Sequence, residues 1–416
     1  MKDHVANCGD LPADDFLVNH SLDAIMQKTR EYTPHVQEYP DFRPSYPGIT
    51  AITYDAPPVF PNRYKTFAYL GIPEGKGKVP AVVLVHGRTG QAYLEWVKQW
   101  MKRGYAAIAM SLEGFYPVSP NSGDHWVDGS WHYGEYGVFD GGEMPSPQND
   151  EMQNAGKPFE NQWMTHAVMK VIGAYTVLRS LDRIDKIGVC GVSWGGVITS
   201  LAIGWESRFD FAIPIYLGGY MEENRAYIGS FFQNPETKKS WLFKHRLYKG
   251  PILWLCGDED TSVSANTHSH SYVSTKEFDA RTRLSVLRDF SHSHIAAADR
   301  EEPYLFADMV AKNGTIYPSL SAKWKDGAIS ASVDCGDGIL SATLYYMTEP
   351  YTYQKFDKYG KGAFTYPVGT WQSTKAAVSG MDIGVRVPED ASAFYLAAEV
   401  ESVGKTYTVS SVLWEK

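Results

Sequence analysis

From about residue 49 to residue 312, the chain alternates short apolar segments with amphipathic ones. Residues 81–85 form a continuous apolar run, which is typical of a strand buried on both faces of a parallel sheet. The next segment carries apolar residues three or four positions apart and predicts a helix that ends before Gly104. Further apolar runs and one further helical stripe follow at residues 105–110, 164–178, 187–190, 211–215, 251–256 and 284–287. This alternation predicts an α/β fold, in which helices flank a mainly parallel sheet.

The pattern changes on both sides of this segment and also within it. Residues 1–48 read as an N-terminal arm, with a short helix over 22–32 followed by a proline-rich extended run. Between residues 114 and 161 the periodicity fails, and a loop of this length inside a domain is usually functional or disordered. After residue 313, short alternating runs separated by Gly, Pro and Asp predict an antiparallel β-sandwich. We therefore predict an arm (1–48), an α/β domain (49–312) and a β-sandwich domain (313–416).

Composition excludes several classes of protein and leaves others open. The formal net charge of −9 argues against a nucleic-acid partner, because such proteins neutralise phosphates with basic residues. No segment approaches the run of about 20 apolar residues that a membrane-spanning helix needs. The four cysteines are far apart in sequence and indicate neither a zinc ribbon nor a disulfide framework. No secretory signal is visible, but a chain whose signal had been removed would look the same, so the compartment is not predicted. The oligomeric state is not predicted either.

The strongest chemical signal is the sequence Gly-Val-Ser-Trp-Gly-Gly at 191–196. It follows a predicted strand and precedes a predicted helix, which is the context of a nucleophile elbow. The flanking glycines allow the sharp bend that exposes the Ser193 hydroxyl. The same bend aims the backbone N–H of Trp194 at an oxygen near that hydroxyl. We predict Ser193 as the nucleophile, and the alternative is a glycine-rich turn with a packing serine.

A second turn, His-Gly-Arg-Thr-Gly at 86–90, follows the earlier buried strand. Its backbone donors, above all the N–H of Arg88, are candidates for the other half of an oxyanion hole. The alternative is a tight turn that needs glycine for its backbone angles. The Arg88 side chain is predicted either to meet substrate or to reach solvent.

A serine hydroxyl needs a base that is oriented by an acid, and both follow the serine in the order typical of α/β-hydrolases. The acid lies in Gly-Asp-Glu-Asp at 257–260, where we favour Asp260 over Asp258. The base lies in the Ser-His-Ser-His segment at 291–294. We favour His292, with His294 as the alternative.

Other polar and aromatic residues have weaker claims to a role. His268 and His270 repeat the same spacing and raise the idea of a metal site, but no further ligand is evident and we predict no metal or other cofactor. Glu113 follows a predicted strand and either lines the substrate site or caps a loop. Trp126, in the long loop, either stacks on a sugar-like substrate or packs in a lid.

Taken together, the segments at 83–90, 95–97, 103–107, 191–196, 214–216 and 257–260, and the His-Ser-His loop that leads to 306–308, resemble the α/β-hydrolase superfamily. More narrowly, they are similar to the bacterial acetyl-xylan-esterase and dienelactone-hydrolase-like group. Arg88 and Thr89 stand where such sequences often carry glycine. The resemblance covers residues 49–312, and it implies an esterase that acts on small-molecule or carbohydrate esters, with acetylated polysaccharide as one such substrate.

We therefore predict a serine-dependent carboxylic ester hydrolase that works through an acyl-enzyme. The alternatives are a serine peptidase of the oligopeptidase type, a carbon–carbon or enol-lactone hydrolase, and a non-catalytic carbohydrate-binding scaffold. The sequence contains no segment that resembles the large propeller of oligopeptidases. The presence of Ser, Asp and His in the expected order argues against the scaffold.

Overall fold

The computed structural model describes residues 17, 19–39, 44, 46–58, 65–88, 90–117, 125–127, 130–132, 136–138, 157–355 and 365–416. The chain divides into two compact units, residues 1–212 with 239–248 and residues 213–238 with 249–416. Strand β11 (Phe211–Ile215) and helix α5 (Pro235–Trp241) include positions at which the chain passes from one unit to the other. The domain boundaries predicted at residues 48 and 312 stay predictions.

The first unit combines a sheet with helices. Its helices are α1 (Leu22–Glu31), α2 (Leu94–Lys102), α3 (Trp163–Arg179) and α4 (Trp194–Trp205). Its strands are β1 (Val36–Glu38), β2 (Ile49–Asp55), β3 (Lys65–Gly71), β4 (Val79–Val85), β5 (Ala106–Met110), β6 (Phe115–Pro117), β7 (His125–Val127), β8 (Ser130–His132), β9 (Tyr136–Val138) and β10 (Ile184–Val192). In its main sheet the strands follow the order β1-β2-β3-β5-β4-β10.

One half of this main sheet is parallel and the other half is antiparallel. Strands β5, β4 and β10 run parallel, and every residue of β5 is buried, as the continuous apolar runs predict. Strands β1, β2 and β3 extend the sheet in antiparallel pairings. We did not predict β2 and β3, because neither shows the alternation of a half-buried strand: both are buried along nearly their whole length.

Helix α3 lies over this sheet and is buried on almost every side. The sequence pattern predicts only an apolar stripe on this helix. In the structure its polar residues Thr165, His166 and Lys170 are buried as well. Polar side chains inside a protein need hydrogen-bond partners. The partners of Lys170 lie in the loop that follows β5.

The second unit contains the parallel strands β11, β12 (Leu253–Gly257) and β13 (Arg283–Leu287), as the sequence predicts for this part of the fold. Its further helices are α6 (Asn266–Thr275), α7 (His294–Asp299) and α8 (Glu302–Ala311). The loops that carry Asp260 and His292 follow β12 and β13 directly. Carboxyl ends of neighbouring parallel strands meet at one edge of a sheet, which is where ligands bind in such folds.

The rest of this unit consists of antiparallel sheets, as predicted. Its strands are β14 (Leu320–Lys325), β15 (Ala328–Val333), β16 (Gly338–Met347), β17 (Tyr353–Lys355), β18 (Thr365–Pro367), β19 (Gln372–Lys375), β20 (Ala377–Ser379), β21 (Asp382–Arg386), β22 (Ala393–Ser402), β23 (Lys405–Ser410) and β24 (Trp414–Glu415). One sheet has the order β14-β15-β21-β20 and another the order β19-β16-β22-β23, with β24 beside β22. The rings of Trp324 and Phe394 meet edge to face between these sheets at 5.0 Å.

Candidate active site

Ser193 occupies a strained turn between β10 and α4. Its backbone has φ 59° and ψ −123°, which is rare for a residue with a side chain. Two of the three glycines in the motif, Gly191 and Gly195, are required by contact distances. A Cβ on Gly191 would lie 2.1 Å from the carbonyl oxygen of Gly195, and one on Gly195 would lie 2.0 Å from that of Val85. The local geometry is therefore the one expected of a nucleophile elbow.

The same packing brings the two predicted oxyanion turns together within the first unit. Because Gly195 lies against the carbonyl oxygens of Val85 and His86, the start of α4 adjoins the turn that follows β4. Trp194 begins α4, and its ring meets that of Trp163 edge to face at 6.0 Å. The N-terminal turn of a helix presents N–H groups and the positive end of the helix dipole, both of which favour an anion. Arg88 is half-buried in the adjoining turn.

His86 holds this turn in place rather than facing solvent. Its Nδ1 donates to the carbonyl oxygen of Gly87 at 2.6 Å, and its Nε2 accepts from the backbone N–H of Leu112 at 2.9 Å. Burial lowers the pKa of His86 to about 4, so the ring is neutral at neutral pH and can accept that bond. The ring thus joins the loop after β4 to the loop after β5.

Lys170 supports the second of these loops from α3. Its Nζ donates to the carbonyl oxygens of Ser111 and Leu112, at 3.3 and 2.9 Å. Burial lowers the pKa of Lys170 from 10.5 to about 7, and the neighbouring charge of Glu113 opposes this shift. Glu113 itself is 3% exposed. It therefore belongs to a buried polar cluster under the loop, and its predicted contact with substrate stays a prediction.

This depressed pKa predicts how stability depends on pH. Between pH 7 and 10.5 the unfolded chain binds a proton on Lys170 that the folded protein does not bind, so stability rises with pH in that window. Lys170→Met removes this contribution. From pH 7.5 to pH 9.5, we expect the free energy of unfolding of the wild type to rise relative to the variant, by an amount on the order of a few kcal/mol.

Urea unfolding of both proteins at the two pH values measures this difference. Lys102→Met, which changes an exposed lysine of α2, is the matched control and should follow the wild type. Equal pH dependence in the wild type and Lys170→Met would contradict the prediction.

In the second unit, Asp260 and His292 form a hydrogen-bonded pair. Nδ1 of His292 lies 2.6 Å from Oδ2 of Asp260, whose side chain is fully buried. The other carboxylate oxygen accepts from the backbone N–H groups of Ser262 and Val263, at 2.7 and 3.2 Å. A carboxylate only accepts, so Nδ1 carries the proton and Nε2 is the nitrogen that can take one up.

Tyr216, at the end of β11, holds the histidine loop. Its hydroxyl donates to the carbonyl oxygens of Ser291 and Ser293, at 2.6 and 3.1 Å. Its ring stacks on that of His292 with 4.5 Å between centroids. Tyr216 also has a left-handed backbone, with φ 69°. The sequence assigns no role to Tyr216, which lies in the segment 214–216, because neither its positive φ nor its stacking on His292 has a local signature.

The remaining acidic and histidine candidates occupy different surroundings. Asp258 accepts from Arg288 at 3.0 Å and from the Tyr395 hydroxyl at 2.8 Å, and burial raises the pKa of this carboxyl to about 6. His294 begins α7, directly after the N-cap residue Ser293. Of the two candidate histidines, His292 is therefore the one that the structure pairs with an acid, and of the two candidate aspartates, Asp260 is its partner. Trp126 lies in β7, and its side chain is outside the part of the chain that the structure describes.

The second histidine pair lies on α6 and faces two environments. His268 is fully buried beside Trp254, and burial lowers its pKa to about 3. His270 is half exposed and pairs with Glu223. Among the described residues, no group of three or more His, Cys, Asp and Glu side chains is arranged to hold a metal. Within the same residues, no helix has both the length and the apolar character needed to cross a bilayer.

A mainly parallel sheet flanked by helices, with a strained serine between strand and helix, defines an α/β-hydrolase. The sequence pattern of the dienelactone hydrolase family matches residues 67–313, which is more than half of the chain. The chain therefore belongs to the dienelactone hydrolase family. This membership supports a hydrolase that acts on esters, and hence a small-molecule ester as substrate. None of the curated proteins matches the chain.

Several solved structures are similar to this chain at low identity. Acetyl xylan esterase 1 from Thermoanaerobacterium sp. has 14% identity and a TM-score of 0.47, over 70% of this chain and 100% of that chain. Acetyl xylan esterase from Paenibacillus sp. R4 has 15% identity and a TM-score of 0.44, over 71% and 99%. The acylaminoacyl peptidase of Pyrococcus horikoshii has 16% identity and a TM-score of 0.43, over 68% and 43%.

Proposed function

We propose that this protein hydrolyses carboxylic esters through a covalent acyl-enzyme, with Ser193 as nucleophile, His292 as base and Asp260 as the acid that orients the base. The observation that carries the proposal is the 2.6 Å hydrogen bond between His292 and Asp260. It fixes the histidine in the tautomer that accepts a proton on Nε2. Ser193, Asp260 and His292 also follow one another in the chain order of α/β-hydrolases.

The conformation of Ser193 supports its role as nucleophile. A backbone with positive φ and ψ −123° on a residue with a side chain costs on the order of 1–3 kcal/mol, and such strain is concentrated at functional sites. The proposal requires Nε2 of His292 to come within hydrogen-bond reach of the Ser193 hydroxyl.

The chemistry then follows in two balanced steps. The Ser193 oxygen attacks the ester carbonyl carbon while Nε2 of His292 takes the hydroxyl proton, and this proton is passed to the departing alcohol. Water next attacks the acyl-enzyme, gives its proton to the same nitrogen and releases the carboxylic acid, and the proton returns to Ser193. Asp260 stabilises the imidazolium that forms in each step.

The negative charge on the carbonyl oxygen also needs donors. We assign this role to the backbone N–H groups of Trp194 and Arg88, because the turns that carry them adjoin one another. One such donor is typically worth about 3–4 kcal/mol of the activation barrier. Both are backbone groups, so their strength depends on the turns and not on the side chains of these residues.

The substrate side of the proposal is a small-molecule or carbohydrate ester, which an activity panel would define. The panel contains p-nitrophenyl acetate, acetylated xylan and monosaccharides, esters of longer acyl chains, glucuronoyl esters, enol-lactones and peptide amides. Turnover of acetylated sugars above the other esters supports deacetylation of carbohydrate. Preferred turnover of peptide amides would instead favour a peptidase, and preferred turnover of enol-lactones would favour a lactone hydrolase.

Labelling with a fluorophosphonate tests the proposal directly, because this reagent reacts much faster with an activated serine than with an ordinary hydroxyl. We expect one adduct, and peptide mass spectrometry should map it to Ser193. Heat-denatured protein is the control and should not react. Absence of label at Ser193 in folded protein would refute the proposal and favour a non-catalytic role.

A further inference from the structure

The loop that carries Asp260 receives hydrogen bonds from the C-terminal β-strands of the same unit. The Tyr353 hydroxyl lies 3.1 Å from the carbonyl oxygen of Asp260 and 3.1 Å from that of Val263, and it is the donor to both. Two positions later, the backbone N–H of Ala265 donates to the Tyr351 hydroxyl at 2.8 Å. Two tyrosines of one short segment therefore fix the backbone immediately after the acid.

The start of the loop is fixed in the same way. Nε1 of Trp371 donates to the carbonyl oxygen of Asp258 at 3.0 Å, and the Tyr395 hydroxyl donates to its carboxylate at 2.8 Å. Trp371 and Tyr395 are 6% and 0% exposed. Their bonds therefore lie out of water, where an unmade hydrogen bond is costly.

These donors belong to one packed group of rings. Trp371 meets Tyr395 edge to face at 5.3 Å and lies 5.9 Å from Tyr351, which in turn meets Tyr353 at 6.0 Å. We call these four residues the aromatic cluster. Rings packed against one another have little rotamer freedom, so the cluster presents its hydroxyl and N–H groups at fixed positions.

The loop needs such support because it contains three acidic residues within three positions. Arg288 pairs with the carboxylates of Asp258 and Glu259, at 3.0 and 2.6 Å. With Tyr395 also bound to Asp258, the first two carboxylates are engaged away from the histidine. Asp260 is the remaining carboxylate that can pair with His292, and this pairing requires the backbone of the loop to keep its position.

We propose that the C-terminal β-sandwich serves as a positioning element for the acid, and that Tyr353 and Trp371 are its positioning residues. The sandwich keeps Asp260 in line with Nδ1 of His292 and thereby orients the base. This inference rests on the proposed function for its effect on rate, but the positioning itself is a matter of geometry. It gives the sandwich a role in turnover rather than in substrate binding.

Tyr353→Phe tests the inference because it removes only the hydroxyl that binds the loop. We expect kcat to fall about 10-fold or more, since a small misplacement of a catalytic group can cost about 100-fold, while KM stays within about 2-fold. In crystals of the variant, we expect the Asp260–His292 hydrogen bond to be lengthened or lost. Tyr346→Phe is the matched control, because it removes the hydroxyl of a half-exposed tyrosine on β16, which lies outside the aromatic cluster.

Trp371→Phe provides a second variant, which keeps a ring in the cluster and removes the bond to Asp258. It should lower kcat in the same direction. Thermal unfolding of all variants shows whether any loss of activity reflects a smaller folded fraction. Unchanged kcat and unchanged Asp260–His292 geometry in Tyr353→Phe would overturn the inference. A raised KM with normal kcat would also overturn it and would indicate that the sandwich binds substrate.

The two proposals fail in different ways. If Ser193→Ala keeps full activity, the proposed function is wrong, yet the crystal structure of Tyr353→Phe still reports whether the hydroxyl holds Asp260 against His292. If Ser193→Ala is inactive and Tyr353→Phe is normal in both rate and geometry, only the positioning role is wrong.

Discussion

Ser193→Ala is expected to lower kcat for p-nitrophenyl acetate by about 10⁴-fold or more, because a serine hydrolase without its nucleophile keeps only the contribution of binding and of oxyanion donors. The substitution removes one half-buried oxygen, and the unchanged Gly191 and Gly195 still allow the backbone turn. We therefore expect the fold to survive. The measurement is steady-state hydrolysis at saturating substrate, with circular dichroism and thermal unfolding as checks on folding.

Ser200→Ala is the matched control for this prediction. Ser200 lies on the same helix, α4, and its hydroxyl donates to the carbonyl oxygen of Gly196 at 3.0 Å within the helix. The same chemical change there should leave kcat within a few-fold of the wild type. Substantial activity in a folded Ser193→Ala variant would show that another group attacks the ester.

His292→Ala is expected to be nearly as damaging, with kcat lowered by about 10⁴-fold or more, because nucleophile and base act as a unit. Without the imidazole, nothing takes the proton from Ser193, and Asp260 has no ring to orient. Asp260→Asn should cost about 10⁴-fold by a different route, since an amide no longer holds the ring in the productive tautomer.

The matched control is His294→Ala, two positions further along the chain and at the first position of α7. We expect this variant to keep most of the wild-type kcat. The reverse result, with His294→Ala inactive and His292→Ala active, would transfer the role of base to His294. It would also mean that the observed bond between His292 and Asp260 serves structure alone.

Much of the fold could be predicted because its signals are local. The apolar runs that became β4, β5 and β11 are long enough to be recognised by hydropathy alone, and α3 follows from a helical period. Strands β2 and β3 escaped prediction because they are buried on both faces without being uniformly apolar. Their polar residues Thr53 and Thr66 lie inside the sheet, where tertiary packing overrides the pattern.

The same distinction between local and long-range signals applies to the candidate site. The serine turn is recognisable because its chemistry lies within a few consecutive residues. The choice between two histidines and two aspartates is not recognisable in this way, since both members of each pair stand on one loop at almost the same distance from a strand. A hydrogen bond between positions 32 residues apart makes the distinction in the structure.

By itself, the sequence determined the α/β class and the serine turn, because strand burial, helix period and the close contact of Gly191 with Gly195 are properties of short segments. The steric need for glycine at position 195 comes instead from the carbonyl oxygen of Val85, at the end of another strand. The tertiary structure decided which carboxylate faces which imidazole, and which side chains hold them there. Tyr216 reaches the histidine loop from 75 residues away and Tyr353 reaches Asp260 from 93 residues away. Such contacts depend on how distant strands pack, so no local pattern records them.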